Sequence, residues 1–121
     1  MILVDTSVWV DHLRVGDAKL ADALRAAQVA THPFVIGELA CGNIKNRAEI
    51  LSLLRLLPMA VQAEHEEVLR FIETNHLMGQ GLGYVDVHLA VSAALTGVPI
   101  WTLDKSLDKI SKKLNISYLK S

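Results

Sequence analysis

Short apolar segments alternate with longer segments of helical periodicity along the whole chain, and this alternation limits the possible folds. Residues 1–4 are an unbroken apolar run, which predicts a buried strand. Further strands are predicted over 28–31, 59–62, 98–103 and 116–119, with helical patterns between them. Because strands joined through helices run parallel, the pattern predicts an α/β fold: a three-layer sandwich in which helices flank a mostly parallel central sheet.

Glycine and proline mark the expected ends of several helices. The first helix, which carries Val8 and Trp9, is predicted to begin at a cap formed by Thr6 or Ser7 and to stop at Gly16. Another is predicted to begin near Pro33, because proline suits the first turn of a helix. A third is predicted over 84–96, ending at the glycine that follows.

Length and composition indicate one apolar domain. The chain has 121 residues, which predicts a single domain over 1–121. Its hydrophobic fraction is 51% and its mean hydropathy is +0.32. A sheet covered on both faces explains this surplus, and so does apolar surface that a partner covers. The two explanations are compatible.

The charge and cysteine content restrict partners and location. The net charge is −1, so any nucleic-acid contact must come from a local basic patch. A single cysteine, Cys41, excludes a disulfide framework and is predicted to be a small buried thiol in a reducing, cytoplasmic setting. Asp5 interrupts the first apolar run, which argues against a signal peptide, and no apolar stretch is long enough to predict a membrane span.

Two aspartates follow predicted strands directly. Asp5 comes after the first strand, and Asp104 comes after the strand over 98–103. The carboxyl ends of parallel strands meet at one edge of a sheet, where ligands bind. We therefore expect the two side chains to lie near each other. Taken alone, each aspartate is better explained as an ordinary helix N-cap.

Two further acids stand among apolar neighbours on predicted helices. Glu38 shares its helix face with Phe34 and Val35, and no lysine or arginine lies within one turn on that face. Asp86 shares its face with Leu89 and small residues. The simpler explanations are that Glu38 reaches water at the edge of the face, and that the helix dipole stabilises Asp86 by roughly 0.3–1 kcal/mol.

If these four acids lie close together, their charges favour binding of a metal ion. Neighbouring carboxylates repel one another and raise one another's pKa values, and a divalent cation removes the conflict. Mg²⁺ prefers oxygen ligands, polarises a phosphoryl oxygen and lowers the pKa of a bound water. The four acids therefore predict metal-dependent hydrolysis of a phosphodiester.

The order of the motifs resembles the PIN-domain family, and within it the VapC-type toxins. The matching stretches are residues 4–9 (Val-Asp-Thr-Ser-Val-Trp), 36–39 (Ile-Gly-Glu-Leu), 83–90 (Gly-Tyr-Val-Asp-Val-His-Leu-Ala) and 101–105 (Trp-Thr-Leu-Asp-Lys). They occur in the family's order and span the chain. The first and last motifs are specific together, whereas each alone would be weak.

The resemblance implies a metal-dependent endoribonuclease, the toxin of a toxin–antitoxin pair. Asp5 and Asp86 would be direct ligands of Mg²⁺ or Mn²⁺, while Glu38 and Asp104 would complete the catalytic site directly or through water. Thr6 and Thr102 match supporting polar positions beside the site. The resemblance also implies a homodimer, an RNA substrate, and a cognate antitoxin that blocks the pocket, often with a basic side chain.

Other features of the sequence have more ordinary interpretations. Asp108 is placed to share the role of Asp104, but an exposed ion pair with Lys112 is favoured. The five histidines show no metal-protease spacing and are interpreted as structural or surface residues. The lysines of the last helix form a solvated face, with RNA phosphates as a possible target of part of it.

Three other functions compete with a toxin nuclease. A phospho-receiver domain has a similar length, and Thr102 and Lys105 match its late polar residues, but Asp5 is followed by Thr6 and not by a second acid. A non-catalytic PIN-like module would serve in antitoxin-bound or DNA-bound complexes with little catalysis. A related nuclease acting on DNA or on ribosomal RNA would have the same acids.

Overall fold

A parallel sheet with the first strand at its centre forms the middle of the protein. The computed structural model describes residues 1–119. Strand β1 (Ile2–Val4) pairs in parallel with β2 (Val29–Ala30) on one side and with β3 (Ile100–Trp101) on the other. Isolated parallel bridges, Thr31 with Met59 and Ile100 with Ser117, continue the pairing outward on both sides. The predicted parallel α/β sheet is confirmed.

Seven helices surround this sheet in the described part of the chain. They are α1 (Thr6–Val15), α2 (Ala18–Arg25), α3 (Pro33–Cys41), α4 (Arg47–Leu54), α5 (His65–Thr74), α6 (Tyr84–Thr96) and α7 (Lys105–Lys113). Helix α1 packs on α3, which packs on α4, while α6 packs on α5, α7 and β3. The sheet is therefore flanked by helices, as the predicted sandwich requires. None of the described helices is long and apolar enough to cross a membrane.

Helix boundaries follow the local sequence signals. Gly16 and Gly97 end α1 and α6 with positive φ angles of 80° and 77°, a conformation that glycine adopts without steric cost. Pro33 occupies the first turn of α3. The predicted helix over 84–96 is confirmed at both ends. Two main apolar clusters result, one around β1 and a smaller one beneath α5 and α6.

Several local predictions are wrong. The predicted strands over 59–62 and 116–119 amount to single bridges, because each makes only one backbone pair with the sheet edge. The N-cap of α1 is Asp5, and Thr6 and Ser7 lie inside the helix. Cys41 is exposed at the end of α3 and is not a buried thiol. The single domain over 1–121 stays a prediction, and residues 120 and 121 lie outside the described residues.

Candidate active site

Asp5 is a buried carboxylate at the end of the central strand. It is 5% exposed and occupies the N-cap position of α1, but its side chain does not cap that helix. Its Oδ2 atom instead accepts hydrogen bonds from Ser7 Oγ at 2.8 Å and from Thr102 Oγ1 at 2.7 Å. No group within residues 1–119 donates to Oδ1. One carboxylate oxygen is thus fixed by two hydroxyls, and the other is left available.

The hydroxyls that hold Asp5 also join the ends of two neighbouring strands. Thr102 follows β3 and is buried, and its Oγ1 accepts a hydrogen bond from the Asp104 backbone N–H at 3.0 Å. Ser7 Oγ accepts from the Leu103 N–H at 3.0 Å and lies 3.3 Å from Thr102 Oγ1. Sequence reasoning missed Ser7 as a site residue. Its position two residues after a strand-end aspartate was the available signal.

Glu38 lies on α3 and reaches toward the start of α1. Its Oε1 accepts a hydrogen bond from Thr6 Oγ1 at 2.7 Å. The side chain is exposed, as the simpler explanation that Glu38 reaches water required. Thr6 and Glu38 are nevertheless brought together although 32 residues separate them in the chain.

Asp86 and Asp104 lie at the starts of two other helices. Asp86 is half-buried near the N-terminus of α6, and its Oδ2 accepts from the Gly83 N–H at 3.1 Å. Asp104 is exposed and caps α7, because its Oδ1 accepts from the Leu107 N–H at 2.9 Å. The ordinary N-cap interpretation thus holds for Asp104 and fails for Asp5. Capping occupies Oδ1 of Asp104 and does not involve its second carboxylate oxygen.

Electrostatics link all four acids. Burial raises the pKa of Asp86, and the negative charges of Asp104, Asp5 and Glu38 raise it further, against the opposing effect of the Gly83 hydrogen bond. Asp104, Asp5 and Glu38 are therefore each close enough for their charges to act on Asp86. Such mutual repulsion is the condition that a bound cation relieves.

The donor set suits a hard divalent cation. All four side chains offer carboxylate oxygens, the ligands that Mg²⁺ and Mn²⁺ prefer. Within residues 1–119, however, no group of three or more His, Cys, Asp or Glu side chains is arranged to enclose a metal ion. Mg²⁺ does not require such a cage, since it usually keeps several waters and takes one or two protein carboxylates. The residues therefore fit a hydrated ion.

Other titratable groups lie in structural contacts. Asp108 forms the predicted ion pair with Lys112 at 2.9 Å and also accepts a hydrogen bond from Ser117 Oγ at 2.7 Å. His32 caps α3 by accepting from the Phe34 N–H, and its Nε2 lies 3.1 Å from Ser92 Oγ on α6. Burial, followed by repulsion from His88, lowers the pKa of His32 to about 4, so this ring is neutral near pH 7.

The site combines a strand-end carboxylate held by hydroxyls with acids from three helices of an α/β sandwich. This combination defines a class of nuclease-like domains. The family model described as the PIN domain matches residues 2–113, and the chain belongs to the PIN-domain family. This match gives no support to the phospho-receiver interpretation.

Individual proteins similar to this chain include a ribonuclease. The chain is 49% identical over 108 residues to Ribonuclease VapC32 of Mycobacterium tuberculosis, represented by the strains CDC 1551 / Oshkosh and ATCC 25618 / H37Rv. The similarity covers 88% of this chain and 87% of the relative. Among solved structures, PAE2754 from Pyrobaculum aerophilum matches with a TM-score of 0.58 and 20% identity, covering 89% of this chain and 77% of that one. That second similarity supports the fold alone.

Proposed function

We propose that the chain is a metal-dependent endoribonuclease that hydrolyses RNA phosphodiester bonds as the toxin of a toxin–antitoxin pair. The geometry of Asp5 carries the proposal: a buried carboxylate that does not cap its helix and keeps one oxygen free is costly unless it has a ligand. The 49% identity to Ribonuclease VapC32 supports the same activity and RNA as the substrate.

We assign the four acids to one catalytic site. Asp5 and Asp86 are the proposed direct ligands of Mg²⁺ or Mn²⁺, and Glu38 and Asp104 act directly or through water. When bound, the cation polarises a phosphoryl oxygen and lowers the pKa of a water molecule. Thr102 and Ser7 hold Asp5 in place through Oδ2, and Thr6 holds Glu38 through Oε1. These hydroxyls restrict the carboxylates before substrate arrives, which limits their reorganisation during the reaction.

The decisive experiment incubates the purified chain, free of antitoxin, with mixed RNA in Mg²⁺, Mn²⁺ or EDTA. We expect cleavage that requires metal and disappears in Asp5→Asn, a variant that keeps the size of the side chain and removes its charge. Asp108→Asn is the matched control, because Asp108 is already paired with Lys112, and it should cleave normally.

Three other results of this experiment would contradict part or all of the proposal. Cleavage that survives in Asp5→Asn would identify a contaminating nuclease or a wrong site. No cleavage of any RNA by folded, metal-loaded protein would refute the nuclease proposal and favour a non-catalytic PIN-like module. Equal cleavage of DNA would show that the RNA assignment is too narrow.

An antitoxin and a second copy of the chain are the proposed protein partners. An apolar groove of about 400 Å³ lies between α1, α2 and α4, and its rim includes Leu56, which is 81% exposed. Its floor includes Trp9 and Leu13 of α1, the helix that begins beside Asp5. Because this apolar groove borders α1, the helix that begins beside Asp5, we assign it to the antitoxin.

Partner binding has its own test. Leu56→Glu should weaken binding of the antitoxin and leave RNA cleavage by the free chain unchanged, because Leu56 is exposed and the groove that it lines contains none of the proposed site residues. Sedimentation of the free chain should give a homodimer. Retention of full antitoxin affinity by Leu56→Glu would contradict the assignment of the groove.

A further inference from the structure

A second, shallow cavity adjoins the carboxylates. It has a volume of about 450 Å³, lies between α3 and the start of α6, and includes Glu38 in its lining. The remaining lining residues are mostly apolar or aromatic: Pro33, Phe34, Gly37, Cys41, Tyr84 and Val85. Because Glu38 lines the cavity and is also one of the four proposed catalytic acids, the cavity borders the proposed catalytic site.

Two aromatic rings of this cavity are held from beneath by a buried histidine. The ring of His88 lies 4.6 Å from that of Phe34 and 5.6 Å from that of Tyr84, edge to face in both cases. His88 is 3% exposed, so it supports the two rings from the protein interior. The Tyr84 hydroxyl is also 2.7 Å from His65 Nδ1, which restrains this ring further.

We propose that this cavity is a base-binding subsite, in which an unpaired nucleobase of the RNA substrate stacks against Phe34 and Tyr84. The inference rests on the proposed function and deepens it. Single-stranded RNA is recognised largely by stacking of exposed bases on aromatic side chains. The volume falls in the range of small-ligand sites, roughly 300–1,000 Å³.

The chemistry of the lining selects a base over a phosphate. No lysine or arginine lines the cavity in the part of the chain that the structure describes, and Glu38 would repel a phosphate placed inside it. A base stacked there leaves its own phosphate outside the cavity, at its rim. The subsite therefore positions the backbone next to the acids and makes unpaired RNA a better substrate than a duplex.

A binding assay in EDTA tests the subsite without requiring cleavage. The probe is a short single-stranded oligoribonucleotide that contains 2-aminopurine, an adenine analogue whose fluorescence changes when it stacks. The wild type should change this fluorescence on binding. Phe34→Leu should raise Kd by roughly tenfold, because one lost stacking contact is worth about that factor, and should reduce the fluorescence change.

Matched variants separate stacking from folding. Tyr84→Leu changes a side chain that is 43% exposed, so it keeps the test available if Phe34→Leu fails to fold. Leu95→Ala alters an exposed residue at the far end of the same helix and should bind as the wild type does. Thermal unfolding of each variant checks that the fold is retained.

The outcomes distinguish the two proposals. Stacking without cleavage in Mg²⁺ would refute the nuclease and keep the subsite, whereas cleavage with an unchanged Kd in Phe34→Leu and Tyr84→Leu would overturn the subsite and keep the nuclease. The absence of any fluorescence change with the wild type would also overturn the subsite. Loss of homodimer in Phe34→Leu with unchanged RNA affinity would identify the cavity as a contact between copies and overturn it.

Discussion

Replacement of Thr102 by valine tests whether the site depends on the hydroxyl that fixes Asp5. Valine has the same shape as threonine, so the change removes the Oγ1 atom with little effect on packing. That atom donates to Asp5 Oδ2 at 2.7 Å and accepts from the Asp104 N–H at 3.0 Å. Both Thr102 and Asp5 are at least 95% buried, so water cannot easily replace the lost partner.

The expected cost follows from these contacts. A hydrogen bond to a charged group contributes about 1.5–3 kcal/mol, and the bond to the Asp104 N–H adds about 1 kcal/mol. Retention of the Ser7 bond to Asp5 limits the loss, so we expect Thr102→Val to lower the free energy of unfolding by about 2–4 kcal/mol. For a chain of this size, that corresponds to a fall in Tm of about 10–15 °C.

Thr31→Val is the control, because it makes the same substitution but is not expected to lower the free energy of unfolding. Thr31 is fully buried, and its Oγ1 has no hydrogen-bond partner among residues 1–119. Removing this hydroxyl should leave stability unchanged or raise it by about 1 kcal/mol. Chemical denaturation measures both values, and RNA cleavage should fall only in Thr102→Val. Equal losses of stability in the two variants would refute the reasoning.

Three further predictions address charge. Asp86→Asn should raise the Tm in EDTA, because burial and three neighbouring acids raise the pKa of Asp86 and make its ionised form unfavourable. The same variant should reduce the Tm increase that Mg²⁺ causes. A lower Tm in EDTA would contradict this reasoning. His32 has a pKa of about 4 in the folded chain and about 6.5 when unfolded, so the unfolded chain takes up a proton first as the pH falls. The neutral ring therefore contributes about 3 kcal/mol to the free energy of unfolding above pH 6.5, and this contribution is lost as the pH falls toward 4. His32→Asn keeps a side-chain acceptor for the Phe34 N–H and should show a shallower acid decline in denaturation titrations. Lys112→Ala breaks a partly exposed pair with Asp108 and should cost about 0.3–0.5 kcal/mol, less in 1 M salt, as thermal melts can verify.

Features set by neighbouring residues were predictable from the sequence. The central strand, the helix over 84–96 and the helix ends at Gly16 and Gly97 depend on runs of apolar residues and on the backbone preferences of glycine. Each signal lies within a few residues of the feature that it determines. The order of the acidic motifs also indicated the family, which the PIN-domain match confirms.

Features set by distant residues were not predictable. The roles of Ser7 and Thr6 depend on Thr102 and on Glu38, which lie 95 and 32 residues away. For Ser7 the sequence offered only the local alternative, a helix cap, whereas the family resemblance already indicated a supporting position for Thr6. The sequence left open whether Glu38 reaches water, because its exposure depends on how α3 packs beside α1. The outer strands were overpredicted, because apolar composition does not reveal that only one residue of each segment pairs with the sheet.

The distance between Asp5 and Thr102 has a consequence during protein synthesis. The strand that holds Asp5 is translated before the rest of the site, and the hydroxyl that completes its support is 97 residues later. At about 5–20 residues per second, a ribosome needs about 5–20 s to connect them. A nascent chain, or a fragment released before residue 102, therefore carries Asp5 without the strand that orients it. The order of residues along the chain delays assembly of the site until residue 102 has been synthesised.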